Sequence, residues 1–168
     1  MQTIIYILPE LFLSLSIISI LMLGVFIKKN FKILNLLVVF SLIFTIALTI
    51  NQPNELKLIF NNSYIIDNFS ILMKVLILFF SLMILISSKE YIKINNIYKT
   101  EYFIIILSSL LGMIIMVSSY DLIIFYLGLE LQSLCLYILA SFKKDDEKST
   151  EAGLKYFVLS ALASGLLL

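Results

Sequence analysis

The sequence predicts an all-α integral membrane protein of about six transmembrane helices. Three observations carry this. Of the 168 residues, 61% are hydrophobic and only 14% charged, where a soluble domain carries about 25% charged residues; mean hydropathy is +1.08. The apolar residues fall in blocks close to the roughly 20 residues that cross a bilayer as a helix. Two prolines and five glycines leave little irregular backbone, which the lipid interior does not tolerate.

The composition also excludes several functions. Net charge is +1, without the basic surplus of a nucleic-acid binder. The basic residues are all lysine, and there is no histidine, so the common zinc and copper sites and any Cys–His nucleophile pair are absent. The one cysteine, Cys135, has no partner for an internal disulfide and reads as a small apolar filler. No Gly-rich phosphate loop or nucleotide fingerprint is present, and the chain is expected to bind no cofactor and no metal.

Six spans follow in order, at about 3–27, 33–50, 69–88, 102–118, 121–142 and 150–168. The first has no basic leading stretch and no small-residue cleavage site, and its apolar run is too long for a signal peptide. Lys28, Lys29, Asn30 and Lys32 separate the first two spans. A longer polar loop runs from Asn51-Gln52-Pro53-Asn54 to Asp67-Asn68. The third loop runs from Lys89-Glu90 to Glu101. Ser118-Ser119-Tyr120-Asp121 forms a tight link, with Asp121 suited to the first turn of the next helix. Lys143 to Lys148 forms the last loop, and Ser149 is the expected N-cap of the final helix. The whole reads as one transmembrane domain, 1–168.

Lysine counts set the orientation. The first, third and fifth loops hold nine lysines (Lys28, Lys29, Lys32, Lys89, Lys93, Lys99, Lys143, Lys144, Lys148), and the other side holds Lys57 alone. The N-terminus is therefore expected outside and the odd loops inside. The drift toward Ile, Leu, Asn, Lys and Phe suggests an AT-rich, organellar coding sequence.

Ionisable residues within spans cost at least ~2.5–3.5 kcal/mol each at the helix centre, and mark candidate function. Glu130 lies mid-span, roughly 18 Å from the inner end. It belongs to a stripe, Tyr126, Glu130, Ser133, Tyr137 and Ser141, whose spacings of 4, 3, 4 and 4 fall on one helix face. Such hydroxyls can line a wet path; the alternative is a protonated glutamate that glues two helices. Lys155 lies about 9 Å inside the last helix, with Glu151 four residues before it, so it is either a proton-handling lysine or half of an ordinary surface pair. Ser160, Ala161, Ala163, Ser164 and Gly165 give that helix a small-residue face for close packing. Lys74 and Glu10 lie near outer span ends. Lys74 is expected to snorkel to the surface, and Glu10, after Pro9, to sit at the interface.

Three segments carry a family resemblance: Leu8-Pro9-Glu10-Leu11-Phe12-Leu13; Ser119–Leu139, containing Glu130-Leu131-Gln132-Ser133-Leu134; and Ser149–Gly165, containing Glu151-Ala152-Gly153-Leu154-Lys155-Tyr156-Phe157. Together they resemble NADH dehydrogenase subunit 2, an antiporter-like membrane subunit of respiratory complex I. The resemblance runs from near residue 8 to the end and is densest over 118–168. It implies proton translocation, with Glu130 matching the family's glutamate on the fifth helix and Lys155 a lysine on the sixth coupled to it. Tyr126, Ser133 and Tyr137 would line the path. NADH, FMN, iron–sulfur clusters and ubiquinone would act elsewhere in the complex. The partners would be other membrane-arm subunits and the lipid bilayer, in the mitochondrial inner membrane, with a bacterial inner membrane less favoured. The chain matches only the N-terminal half of the antiporter-like fold, so a separate chain is expected to supply the later helices. Two other functions remain open at this point: a subunit of a multi-subunit cation/proton antiporter, and a scaffold without proton chemistry.

Overall fold

A computed structural model describes residues 5–26, 31–53, 56–88, 90, 92, 100–143 and 145–167, with Phe31 and Lys32 by backbone alone. Among the described residues six long helices follow one another: α1 (Leu8–Phe26), α2 (Phe31–Ile50), α3 (Asn68–Ser87), α4 (Thr100–Val117), α5 (Leu122–Ala140) and α6 (Glu147–Leu167). By length and composition α1 to α5 can each cross a membrane. The sixth is as long, but Glu147, Lys148, Glu151 and Lys155 occupy its first half, so it falls short of the six expected spans on apolarity, not on length. Among the nine orientation-setting lysines, Lys28, Lys29, Lys89, Lys93, Lys99 and Lys144 lie outside the described residues.

Helices α1 to α4 pack around one core. α1 contacts α2 and α4, α2 contacts α3, and α3 contacts α4. Leu13, Ile20, Val38, Leu42, Leu78, Leu85, Phe103 and Leu107 fill the centre, spaced along each helix so that one stripe faces inward. Other large apolar side chains, such as Leu15, Ile18, Phe40, Phe80 and Ile84, face outward, which suits lipid and not water. From this bundle α5 extends by its contact with α4, and α6 by its contact with α5.

The loop between α2 and α3 holds a feature that the sequence reading treated only as polar loop. β1 (Lys57–Ile59) and β2 (Tyr64–Ile66) form an antiparallel hairpin, with Ile59 opposite Tyr64 and Lys57 opposite Ile66. Its turn places Phe60, Asn61 and Asn62 at φ 54, 53 and 66°. Asparagine tolerates this left-handed region; phenylalanine there is strained. The free edge of β2 is taken up by the link between α4 and α5. Ile65 N–H donates to the Ser118 carbonyl at 2.9 Å, and the Ser63 carbonyl accepts from Tyr120 N–H at 3.0 Å and Asp121 N–H at 3.3 Å. The hairpin thus ties the start of α3 to the start of α5.

Helix ends are capped by local chemistry. Asp67 and Ser70 form a reciprocal capping box at α3, satisfying two donors that a helix start leaves orphaned. Asp121 caps α5 from just outside the first turn, accepting from Ile123 N–H at 3.4 Å. At α6 the expected Ser149 cap is replaced. The helix starts three residues earlier, at Glu147, the Asp146 carboxylate accepts from Lys148 N–H at 3.1 Å, and Ser149 Oγ instead donates to the Ala140 carbonyl at the end of α5, at 2.8 Å.

Candidate functional site

The expected stripe on α5 forms. Tyr126 and Glu130 are half-buried, Ser133 and Tyr137 are buried, and Ser141 is half-buried at the helix end. Its lower part turns toward α6: the Tyr137 hydroxyl bonds the Ser160 hydroxyl. The Tyr137 ring meets Tyr156 and Phe157 edge-on, at centroid distances of 4.8 and 5.6 Å. Gly153 brings α6 against α5, because a Cβ there would run into Ser141. The upper part is less occupied. Ser133 Oγ donates to the backbone carbonyl of Glu130 at 3.0 Å, and the Glu130 carboxylate has no hydrogen-bond or ion-pair partner among the described residues. A mid-span carboxyl group without a local partner is chemically available.

Lys155 is not brought to Glu130. It pairs with Glu151, one turn back, at 2.6 Å, and both side chains are mostly exposed, at 71 and 63%. Apart from Gly153 and Ser164, α6 buries little, and Leu154, Leu159 and Leu162 point outward. A groove of about 490 Å³ runs along the α5–α6 seam, lined by Leu134, Tyr137, Ile138, Ser141 and Phe157 among others.

The structure corrects the readings of Lys74 and Glu10. Lys74 does not snorkel: it is fully buried, and Glu10 is 7% exposed. Lys74 Nζ lies 2.6 Å from Glu10 Oε1, and the Tyr64 hydroxyl donates to the same oxygen at 2.7 Å. Lys74 Nζ also reaches the Tyr64 hydroxyl oxygen at 3.3 Å. The lysine turns inward because α1 presents a carboxylate there; in a low-dielectric interior that attraction outweighs snorkelling. Burial, and then the nearby Glu10 charge, push the Tyr64 phenol above its ordinary range, so it remains a donor. Around this trio, Lys57 Nζ bonds the Tyr6 hydroxyl at 2.5 Å, and Gln52 Nε2 donates to the Tyr6 carbonyl at 2.7 Å. One signal could have found the pair: Glu10 and Lys74 are lone, opposite charges near the same end of two spans.

A multi-pass, all-α membrane protein with a carboxylate on a hydroxyl-lined helix face is the class these features define. Residues 119–168, from the hairpin-bound link through α6, match the membrane family described as NADH:quinone oxidoreductase/Mrp antiporter, TM. Across nearly its full length the chain is also similar to NADH-quinone oxidoreductase subunit N. It is 52% identical to that of Pelagibacter ubique over 164 residues, 97% of this chain and 35% of the relative. It is 40% identical to that of Ruthia magnifica over 163 residues, covering 96% and 34%, and 43% identical to that of Rhodospirillum rubrum over 164 residues, covering 96% and 34%. The chain is a homologue of subunit N, and spans about a third of the length of the curated relatives it matches. These relatives are bacterial and carry the name subunit N, where the sequence reading expected subunit 2 and a mitochondrial membrane.

Proposed function

We propose that the chain is a proton-translocating part of the membrane arm of NADH-quinone oxidoreductase, with Glu130 as its proton-carrying group. One observation carries this: Glu130 sits half-buried and without a partner among the described residues in the middle of α5, on a face of hydroxyls that continues across the seam through Tyr137 and Ser160. A carboxyl so placed can accept a proton from one side and release it to the other when its surroundings change. The chain does no redox chemistry in this reading; NADH, FMN, iron–sulfur and ubiquinone chemistry belongs to other subunits. Tyr126, Ser133 and Tyr137 line the path.

Lys155 enters as a second proton group once α6 is covered. Its pairing with Glu151 is the exposed arrangement; further helices packed on α6 would take both out of water. The similarity to relatives about three times as long supports the existence of such helices. A mass-spectrometric inventory of the purified complex checks it. The bacterial relatives favour a bacterial inner membrane over the mitochondrial one, with the N-terminus on the outer face as the lysine asymmetry indicates.

The decisive experiment is Glu130→Gln in the intact complex, reconstituted in vesicles. Proton uptake per NADH oxidised is expected to fall while assembly stays normal. Unchanged pumping would leave a scaffold. A second reading, a cation/proton antiporter subunit, draws on the family description, which covers both; coupling of ion movement to NADH oxidation separates them.

A further inference from the structure

The path through Glu130 leaves the trio of Glu10, Lys74 and Tyr64 unused. As a plain strut between α1 and α3 the trio is a poor solution. Taking two charges out of water costs several kcal/mol per ion, and apolar side chains of similar size hold helices together equally well. The bonding is also lopsided. Glu10 Oε1 takes both Lys74 Nζ and the Tyr64 hydroxyl, while Oε2, also buried, has no hydrogen-bond partner among the described residues. Gln52 Oε1, on the other side of Tyr6, is likewise buried without a hydrogen-bond partner among the described residues. Orphaned buried acceptors of this kind are where internal water is found. Lys57, only partly buried, holds the Tyr6 hydroxyl. Polar groups therefore lead inward from the hairpin surface: Lys57, then Tyr6 with Gln52, then Glu10, one turn along from Tyr6.

We propose that the Glu10–Lys74 pair is a hydrated proton-exchange site on the hairpin side of the bundle. Glu10 Oε2 faces a buried water. A proton from that water forms an O–H bond on Oε2, and the water regains its proton from bulk solvent through the groups around Tyr6. The reverse transfer returns it. Protonation removes the charge that holds Lys74, so exchange loosens the tie between α1, α3 and the hairpin. Among the described residues, the titratable groups around the pair are Tyr64 on β2, in direct contact with both, and further out Tyr6 and Lys57, bonded to each other. Asp67, at the start of α3, has its carboxylate engaged in capping, and Asp121 lies behind the hairpin. That the exchanged proton is one of those the complex moves rests on the function proposed above; the exchange itself does not.

The test is a pH-induced infrared difference spectrum of the intact complex in membranes, with carbon-13-labelled glutamate. Glu10→Gln is expected to remove one glutamate's worth of the carboxylate-to-carboxyl signal. Should that variant fail to assemble, Glu10→Gln/Lys74→Met leaves no uncompensated charge and serves the same comparison. A signal identical to wild type in the assembled variant overturns the proposal and makes the pair a static strut. The outcome is separate from that of Glu130→Gln: pumping lost there with a silent Glu10 keeps the proposed function and discards this site, and the reverse pattern does the opposite.

Discussion

Gly112 and Gly128 face each other across the crossing of α4 and α5. A Cβ on Gly112 would lie 2.8 Å from the Gly128 carbonyl oxygen, and one on Gly128 would lie 2.9 Å from the Gly112 carbonyl oxygen. The two backbones touch, as at the small-residue crossings of membrane helices. Gly128→Ala should therefore push α5 off α4, at about 1–3 kcal/mol. Gly165→Ala, where a Cβ meets nothing, should cost little. Thermal unfolding of the complex in detergent compares the two, and equal midpoints would contradict the close crossing.

Breaking the buried pair should be far worse than deleting it. Lys74→Met alone strands Glu10 and should cost about 3–5 kcal/mol; Glu10→Leu/Lys74→Met should recover most of that loss. The measure is the amount of assembled complex and its thermal midpoint. Additive single-variant costs would show that the two residues do not act as a pair.

Tyr64 gives a pH signature. Its phenol is held above its ordinary value, chiefly by burial and then by Glu10. The folded chain binds this proton more tightly than the unfolded chain does. The stabilisation is thus fully present below the ordinary tyrosine value near 10 and is lost as pH rises beyond it. In an alkaline absorbance titration of the folded protein, Tyr64→Phe should leave the tyrosinate signal unchanged; a reduced signal would show that Tyr64 ionises in the ordinary range.

The α5–α6 seam can be probed at Tyr137. Tyr137→Phe keeps the ring contacts with Tyr156 and Phe157 and removes only the bond to Ser160. A loss of about 0.6 kcal/mol, the usual size for such bonds between membrane helices, is expected. Ser160→Ala should match it, and the double variant should cost no more than either single. Additivity in this cycle would mean the two hydroxyls are not coupled.

The helices were legible because lipid demands long apolar runs and the chain has few breaks; Thr100–Val117 and Leu122–Ala140 fall within a few residues of the expected spans. The stripe at Tyr126, Glu130 and Ser133 was legible because helical spacing alone places it. The hairpin was not, since two strands of three residues leave no period to read, and its pairing is completed by the distant Ser118 and Tyr120. The burial of Lys74 was hidden for a related reason. A lysine near a span end suggests snorkelling, and only the contact with Glu10, 64 residues earlier, reverses that. Spacing alone allows Lys155 either a proton-handling role or a local pair, and the described chain shows the local pair with Glu151.

The distance along the chain between Glu10 and Lys74 bears on how the protein is made. α1 emerges from the ribosome well before α3, so Glu10 enters the membrane with no counter-charge and receives one only when Lys74 follows. Lys74 cannot settle at its depth unless α1 has stayed beside the insertion site. Biogenesis of the bundle thus has an order written into it: first helix held, third helix delivered.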